Sequence, residues 1–219
     1  MALFRDRIAA SKPLVFAICL LPLAWLVWDT LHDTLGTDPV AQLEHRTGIW
    51  ALRLLLLTLS ITPLRRVTGW HKAIRYRRML GLFVFFYVTV HLLIYTFIDL
   101  QAYWSDLFKE IVKRPYITVG FTAWLLLIPL AITSTQKMIR WLGRRWQKLH
   151  RLVYVIALLG VLHFLWLVKA DYREPLMYMG LLVFLMLWRV PWAAWIARFK
   201  RCAYDTGNAA QRSANAVRS

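Results

Sequence analysis

The sequence predicts an all-α polytopic membrane protein: a bundle of six transmembrane helices with both termini in the cytoplasm. Three observations lead there. Of 219 residues, 59% are hydrophobic, above the roughly 45–50% of a soluble domain. Six stretches reach or approach the ~20 apolar residues that cross a hydrocarbon core. The surplus of 28 Lys+Arg over 11 Asp+Glu falls in alternate loops, as orientation by retained cytoplasmic cations requires. The bilayer is therefore the first partner. No nucleic-acid partner is expected despite the charge, because the cations interrupt long uncharged runs instead of forming a continuous basic face.

The first span is 13–28, after a cytoplasmic segment 1–12 that carries Arg5, Arg7 and Lys12. No small-residue cleavage site closes it, so it reads as a retained helix and not a signal peptide. The second span, 48–64, is the weakest because Arg53 interrupts it. Spans at 79–98, 115–136 and 152–168 are the clearest. The sixth, 175–188, extends past Arg189 towards Phe199. Segments 1–12, 65–78, 137–151 and the tail from Arg189 hold 3, 6, 6 and 6 Lys/Arg, opposed only by Asp6 and Asp205. The intervening segments 29–47, 99–114 and 169–174 hold six Lys/Arg and nine Asp/Glu. The bias keeps its sign at every crossing and places both ends inside.

The domain reading is a membrane domain over 13–199 and a basic tail over 200–219, rich in Ala, Asn, Ser and Arg and expected to be disordered. No internal repeat and no soluble catalytic or nucleotide-binding domain is visible. Most of the 12 Trp fall near span ends, as interfacial anchors do; Trp124 lies deep in span four. Cys19 sits in an apolar run and Cys202 in the tail, so no disulfide framework is implied. The absence of C-x-x-C-H excludes covalent haem attachment through that motif.

Chemistry is left to the histidines. His32, His45 and His71 lie in loops or at span edges, with His45, at the mouth of span two, the best placed. His91 and His163 lie inside hydrophobic spans, where ionisable residues are costly and mark function. At ~1.5 Å per residue, His91 lies about 10 Å and His163 about 7–8 Å below the outer surface. Two imidazoles at one level suit the two axial positions of a non-covalent haem. The alternative is two separate histidines, each bonded to a carbonyl or hydroxyl. His150 lies thirteen residues before His163, near the cytoplasmic boundary, with room for a second cofactor below the first. On an ideal helix the two would point about 140° apart, so sharing one bundle axis needs a bend, a π-bulge or rotated rings. The matching position on span three is Arg78, which leaves a lower site half-built. Arg53, level with the histidine pair, either pairs with a haem propionate or snorkels outward. Arg75, Arg77 and Arg78, facing Arg144, Arg145, Lys148 and Arg151, serve orientation first; they also suit a flavin phosphate or lower-site propionates.

The run Arg78-Met79-Leu80-Gly81-Leu82, with Tyr87 and His91, resembles the third helix of the ferric-reductase-like transmembrane family. So does Trp146-Gln147-Lys148-Leu149-His150-Arg151-Leu152-Val153-Tyr154, with His163 beyond it. Further stretches are Thr47-Gly48, Trp50-Ala51-Leu52-Arg53, the run from Leu57 to Arg65, the run from Arg114 to Gly120, and the run from Pro129 to Ser134. Together they cover nearly all of the membrane portion. More closely, the chain resembles the haem-binding subunits of bacterial periplasmic methionine-sulfoxide reductase systems.

That resemblance implies haem b, one or two, with His91, His163 and His150 as ligands. It implies an associated FMN and a multi-pass place in the bacterial inner membrane. It also implies electrons drawn from the quinone pool and delivered to a periplasmic molybdopterin-containing methionine-sulfoxide reductase subunit. On this reading the chain is an electron-transfer subunit and not the catalytic one. The alternatives are a stand-alone transmembrane haem metalloreductase and a small proton-coupled transporter, the latter disfavoured by the lack of an inverted repeat.

Overall fold

The computed structural model describes residues 2–189, leaving aside the side chains of residues 2–10 and 104–107. The described residues form α-helices with no strand: α1 (Ala2–Leu31), α2 (Pro39–Thr68), α3 (Arg77–Ile94), α4 (Trp104–Lys113), α5 (Pro115–Ile132), α6 (Gln136–Leu142), α7 (Arg144–Leu149), α8 (Leu152–Leu167) and α9 (Arg173–Leu187). A 3₁₀ turn precedes α3 and a π turn follows it. The chain divides into two units, Met1–Val183 and Phe184–Ser219; the helical bundle and both of its cavities belong to the first. The tail over 200–219 and the extension of span six beyond Arg189 lie outside the described residues.

Five helical stretches are long and apolar enough to cross a membrane: Ser11–Leu31, Pro39–Thr68, Arg77–Asp99, Pro115–Ile132 and Arg144–Leu167. The sixth expected span falls on α9, which has 15 residues among those described and is not one of these five. Exposed Leu14, Leu21, Trp25, Leu57 and Leu158 are what a lipid-facing surface presents, since lipid removes the penalty that water would impose on them.

The span that looks weakest in the sequence is the most enclosed. In α2, 61% of the most apolar stretch is buried within the protein, against 11–28% in the other four. Arg53 does not break it, because its side chain takes the exposed face while Ala51, Leu52, Leu54, Leu55 and Leu56 fill the buried ones. The helix also begins nine residues before the expected start. Asp38 accepts from the Ala41 N–H at 3.0 Å, and Pro39 occupies the first turn. A carboxylate cap satisfies an orphan donor there, and proline has no donor to leave unsatisfied. Gly69, in the left-handed region at φ 67°, ends the helix by returning its N–H to the Arg65 carbonyl, a conformation glycine reaches without a Cβ penalty.

Four helices close a ring: α2 packs on α3, α3 on α5, α5 on α8 and α8 on α2. The start of α2 lies beside the end of α3, because Glu44 meets His91. The start of α5 lies beside the end of α8, because Tyr116 meets His163. Both pairs are therefore antiparallel hairpins. The ring has an imidazole end, carrying His91 and His163, and a basic end, carrying Arg77, Arg78 and His150. Helix α1 is pinned outside by the buried Tyr87. The tyrosine hydroxyl donates to the Cys19 carbonyl at 2.8 Å and accepts from the Leu23 N–H at 3.1 Å. It thus serves both partners of one turn of α1, next to Pro22.

Candidate functional site

At the imidazole end, His91 Nδ1 donates to the Glu44 carbonyl at 2.9 Å, with the Thr47 hydroxyl oxygen 3.3 Å from the same nitrogen. Thr47 in turn donates to the Leu43 carbonyl at 2.7 Å, which leaves its oxygen free to accept. His163 Nδ1 donates to the Tyr116 carbonyl at 2.7 Å. A carbonyl only accepts, so both rings carry their proton on Nδ1. Each Nε2 then keeps its lone pair, the arrangement in which an acceptor on the other ring nitrogen fixes the tautomer and orientation of a metal-binding imidazole.

The ring centres of His91 and His163 are 6.3 Å apart, with planes at 79°. A metal–imidazole bond is about 2 Å and a ring nitrogen stands ~1 Å from its ring centre, so two imidazoles on opposite sides of one metal put their centres about 6 Å apart. The spacing fits a shared iron. The rings come from diagonal helices of the ring, α3 and α8, so the space between them is the bundle interior. They line a cavity of about 390 Å³ with apolar walls that include Val88, Leu127 and Ile156. Among the described residues no group of three or more His, Cys, Asp or Glu gathers as a bare metal site. A porphyrin needs only two protein ligands, which is the number of imidazoles that His91 and His163 bring to this cavity.

Arg53 does not line this cavity. Its Nε donates to the Tyr178 hydroxyl at 2.9 Å and its guanidinium stands 5.1 Å from the centre of the Trp50 ring. The cation that does reach the cavity mouth is Arg114, which sequence reasoning passed over. It pairs with Glu110 and donates to the Tyr116 hydroxyl at 2.9 Å; that hydrogen bond raises its pKa further above the usual arginine value. The available signal was its position, immediately before Pro115 at the start of a span. His45 also lines the mouth, 3.8 Å from the Glu174 carboxylate. His32 stacks on Trp28 at 4.0 Å, away from the pair.

The basic end holds a second, larger cavity of about 740 Å³, lined by Lys12, Arg75, Arg77, Arg78, His150 and Arg151 among others. Leu55, Val84 and Leu127 line both cavities and so form the partition between them. His150 Nδ1 donates to the Trp146 carbonyl at 3.1 Å, and the Trp146 ring stacks on it at 3.9 Å and 26°. Its Nε2 is buried and makes no hydrogen bond. The regular α-helical winding from which a misalignment of about 140° follows is interrupted at this point. Residues 150 and 151 form a turn between α7 and α8. There Arg151 N–H bonds the Lys148 carbonyl at 3.2 Å and Val153 N–H the His150 carbonyl at 3.4 Å. Bonds of this i→i+3 kind wind the chain more tightly than an α-helix.

Residues 47–161 match the family model for the ferric reductase like transmembrane component. Over 196 residues the chain is 59% identical to the protein-methionine-sulfoxide reductase heme-binding subunit MsrQ of Xanthomonas axonopodis pv. citri, a match covering 87% of this chain and 90% of that relative. It is 50% identical over 178 residues to the protein of the same name from Caulobacter vibrioides, covering 81% of this chain and 85% of that one. No solved structure matches the chain.

Proposed function

The chain belongs to the ferric-reductase-like transmembrane family, in its MsrQ branch, and on that footing we propose that it is the haem-containing electron-transfer subunit of a methionine-sulfoxide reductase system. The observation that carries this reading is the His91–His163 pair, 6.3 Å between ring centres with both Nδ1 atoms committed to backbone carbonyls. His91 and His163 would hold one haem b in the cavity at the imidazole end. When bound, haem supplies a one-electron couple that the side chains of this protein lack. The protein's own part is to orient the two imidazoles, keep their Nε2 atoms unprotonated and exclude water with the apolar wall.

The orientation follows from the loop charges: six spans, both termini in the cytoplasm of a bacterial inner membrane, the imidazole end outward and the basic end inward. In that setting electrons enter at the basic end, from the quinone pool or a flavin reductase. They leave at the imidazole end to a periplasmic molybdopterin-containing methionine-sulfoxide reductase. The basic cavity would hold the second cofactor, either a further haem on His150 or FMN with its phosphate among Arg75, Arg77 and Arg78. Its size, its cations and the bare Nε2 of His150 support this.

The test is optical. Purified protein is expected to show a low-spin b-type spectrum that sharpens on dithionite reduction, and His91→Ala and His163→Ala are each expected to lose most of it. Colourless wild-type protein, or a spectrum indifferent to both substitutions, refutes the reading.

A further inference from the structure

The two histidines at the imidazole end are held by the same device, built twice. In each hairpin the imidazole bonds a carbonyl 47 residues earlier in the chain. In each, that carbonyl belongs to the residue one helical turn before a glycine: Glu44 before Gly48 on α2, and Tyr116 before Gly120 on α5. In each, the glycine lies against the ring. A Cβ built on Gly48 would stand 3.4 Å from His91 Cε1 and 3.5 Å from Nδ1. A Cβ on Gly120 would stand 2.7 Å from His163 Nδ1 and 2.9 Å from Cε1. Neither glycine has the positive φ that would otherwise account for it, so backbone conformation does not explain the choice of residue. Close approach of the ring does.

We infer that Gly48 and Gly120 are positioning residues for the two axial imidazoles, and that they are unequal: Gly120 admits no side chain, whereas Gly48 admits a methyl. The inference rests on the haem reading above and adds to it. The geometry explains the inequality. Separations under 3 Å lie inside the van der Waals contact of carbon with carbon or nitrogen, so the His163 ring must move before an alanine fits. It has little freedom to do so, since its Nδ1 is tied to the Tyr116 carbonyl on the same helix as the glycine. Moving the ring off Gly120 breaks that bond, frees the tautomer and takes Nε2 from its place. At 3.4–3.5 Å a methyl on Gly48 merely touches His91. The same substitution therefore gives two outcomes on two helices.

The experiment compares Gly120→Ala, Gly48→Ala and Gly180→Ala in purified full-length protein carrying its native haem. Gly180 has nothing within 4 Å of a built Cβ and serves as the control for adding a methyl to an apolar helix. Three readouts are taken on each: the spin state by absorption and EPR, carbon monoxide binding to the reduced protein, and helix content with thermal unfolding. Gly120→Ala is expected to convert the low-spin signal to a high-spin one that binds carbon monoxide, with helix content retained. Added imidazole is expected to restore low spin. Gly48→Ala is expected to stay low-spin and refuse carbon monoxide, as is Gly180→Ala. A low-spin Gly120→Ala protein that refuses carbon monoxide overturns the inference, as does a Gly48→Ala protein as disturbed as Gly120→Ala. Should Gly120→Ala fail to accumulate, the double variant Gly120→Ala/His163→Gly removes the ring that clashes. Accumulation of the double variant to the level of His163→Gly alone supports the inference, and its failure to do so overturns it. Loss of the haem reading itself shows separately, as wild-type protein without a b-type spectrum.

Discussion

The imidazole end and the basic end of the four-helix ring are built on one framework and finished differently. Both hairpins, α2–α3 and α5–α8, bring a histidine to the imidazole end, and both support it with a carbonyl and a glycine of the partner helix. Thirteen residues earlier on each outgoing strand of helix, the correspondence fails: one hairpin has His150 and the other has Arg78. The imidazole end encloses about 390 Å³ between two committed rings, and the basic end about 740 Å³ between one ring and a group of cations. A duplicated backbone arrangement thus yields a cavity between two imidazoles where both copies keep the histidine. Where only one copy keeps it, the result is a larger cavity with one imidazole. The difference also has an electrostatic sense. On the orientation proposed above the basic cavity faces the cytoplasm, where Arg75, Arg77 and Arg78 are held at little cost because water and headgroups reach them, and where they also complement anionic groups.

The largest effect expected from this comparison is the independence of the two ends. His150→Ala is expected to leave the bis-imidazole signal of the His91–His163 pair intact while abolishing whatever cofactor signal the basic cavity contributes. The partition of Leu55, Val84 and Leu127 separates the two spaces, and no hydrogen bond of His150 runs to either of the other rings. Difference spectra of His150→Ala and His163→Ala, each against wild type, measure this. Spectra that collapse together would mean that the two ends fold as one site.

Next in size is completion of the broken copy. Arg78 lines the basic cavity and holds the position that His150 holds in the other hairpin. Arg78→His is expected to convert the basic end to a second low-spin, bis-imidazole site and to leave the first unchanged. Haem-to-protein ratio by pyridine haemochrome, together with EPR of the oxidised protein, reads the change. A folded variant with wild-type EPR would show that the correspondence between the hairpins stops at the partition.

These relations set the limits of what the sequence reveals. The all-helical fold, the apolar spans and the level of His91 with His163 come from hydropathy and a rise of ~1.5 Å per residue, because those are one-dimensional properties. The duplicated hairpin does not, since so few positions need to agree: a glycine, a histidine and a carbonyl that any residue supplies. The early start of α2 was legible in Asp38-Pro39, a cap and then a proline, and was hidden by the polar residues Gln42, Glu44, His45 and Arg46 just beyond it. The turn at His150–Arg151 has no proline or glycine to announce it and shows only in three dimensions. Arg53 drew attention as a buried charge, but depth along a helix says nothing about which face a side chain takes. Arg114 stands at a loop–span boundary, where a cation reads as an orientation signal and its approach to a cavity shows only in three dimensions.

The smallest expected effect concerns that same Arg53 and asks whether the imidazole end relies on any cation at its own depth, as the basic end does. Arg53 turns to the exposed face, giving one hydrogen bond to Tyr178 and a contact with the Trp50 ring. Arg53→Gln shortens the side chain and removes the charge, so it should cost the hydrogen bond, about 1 kcal/mol, and the ring contact, about 0.5–1 kcal/mol at an exposed site. The haem-to-protein ratio and the position of the low-spin bands are expected to stay at wild-type values, with thermal stability in detergent reduced by a few degrees. Arg114→Gln, at the cavity mouth, is the paired control, and it is the variant expected to weaken haem retention. If Arg53→Gln loses haem while Arg114→Gln keeps it, Arg53 turns inward to a propionate when haem is bound. The two ends of the ring would then both be finished with arginine.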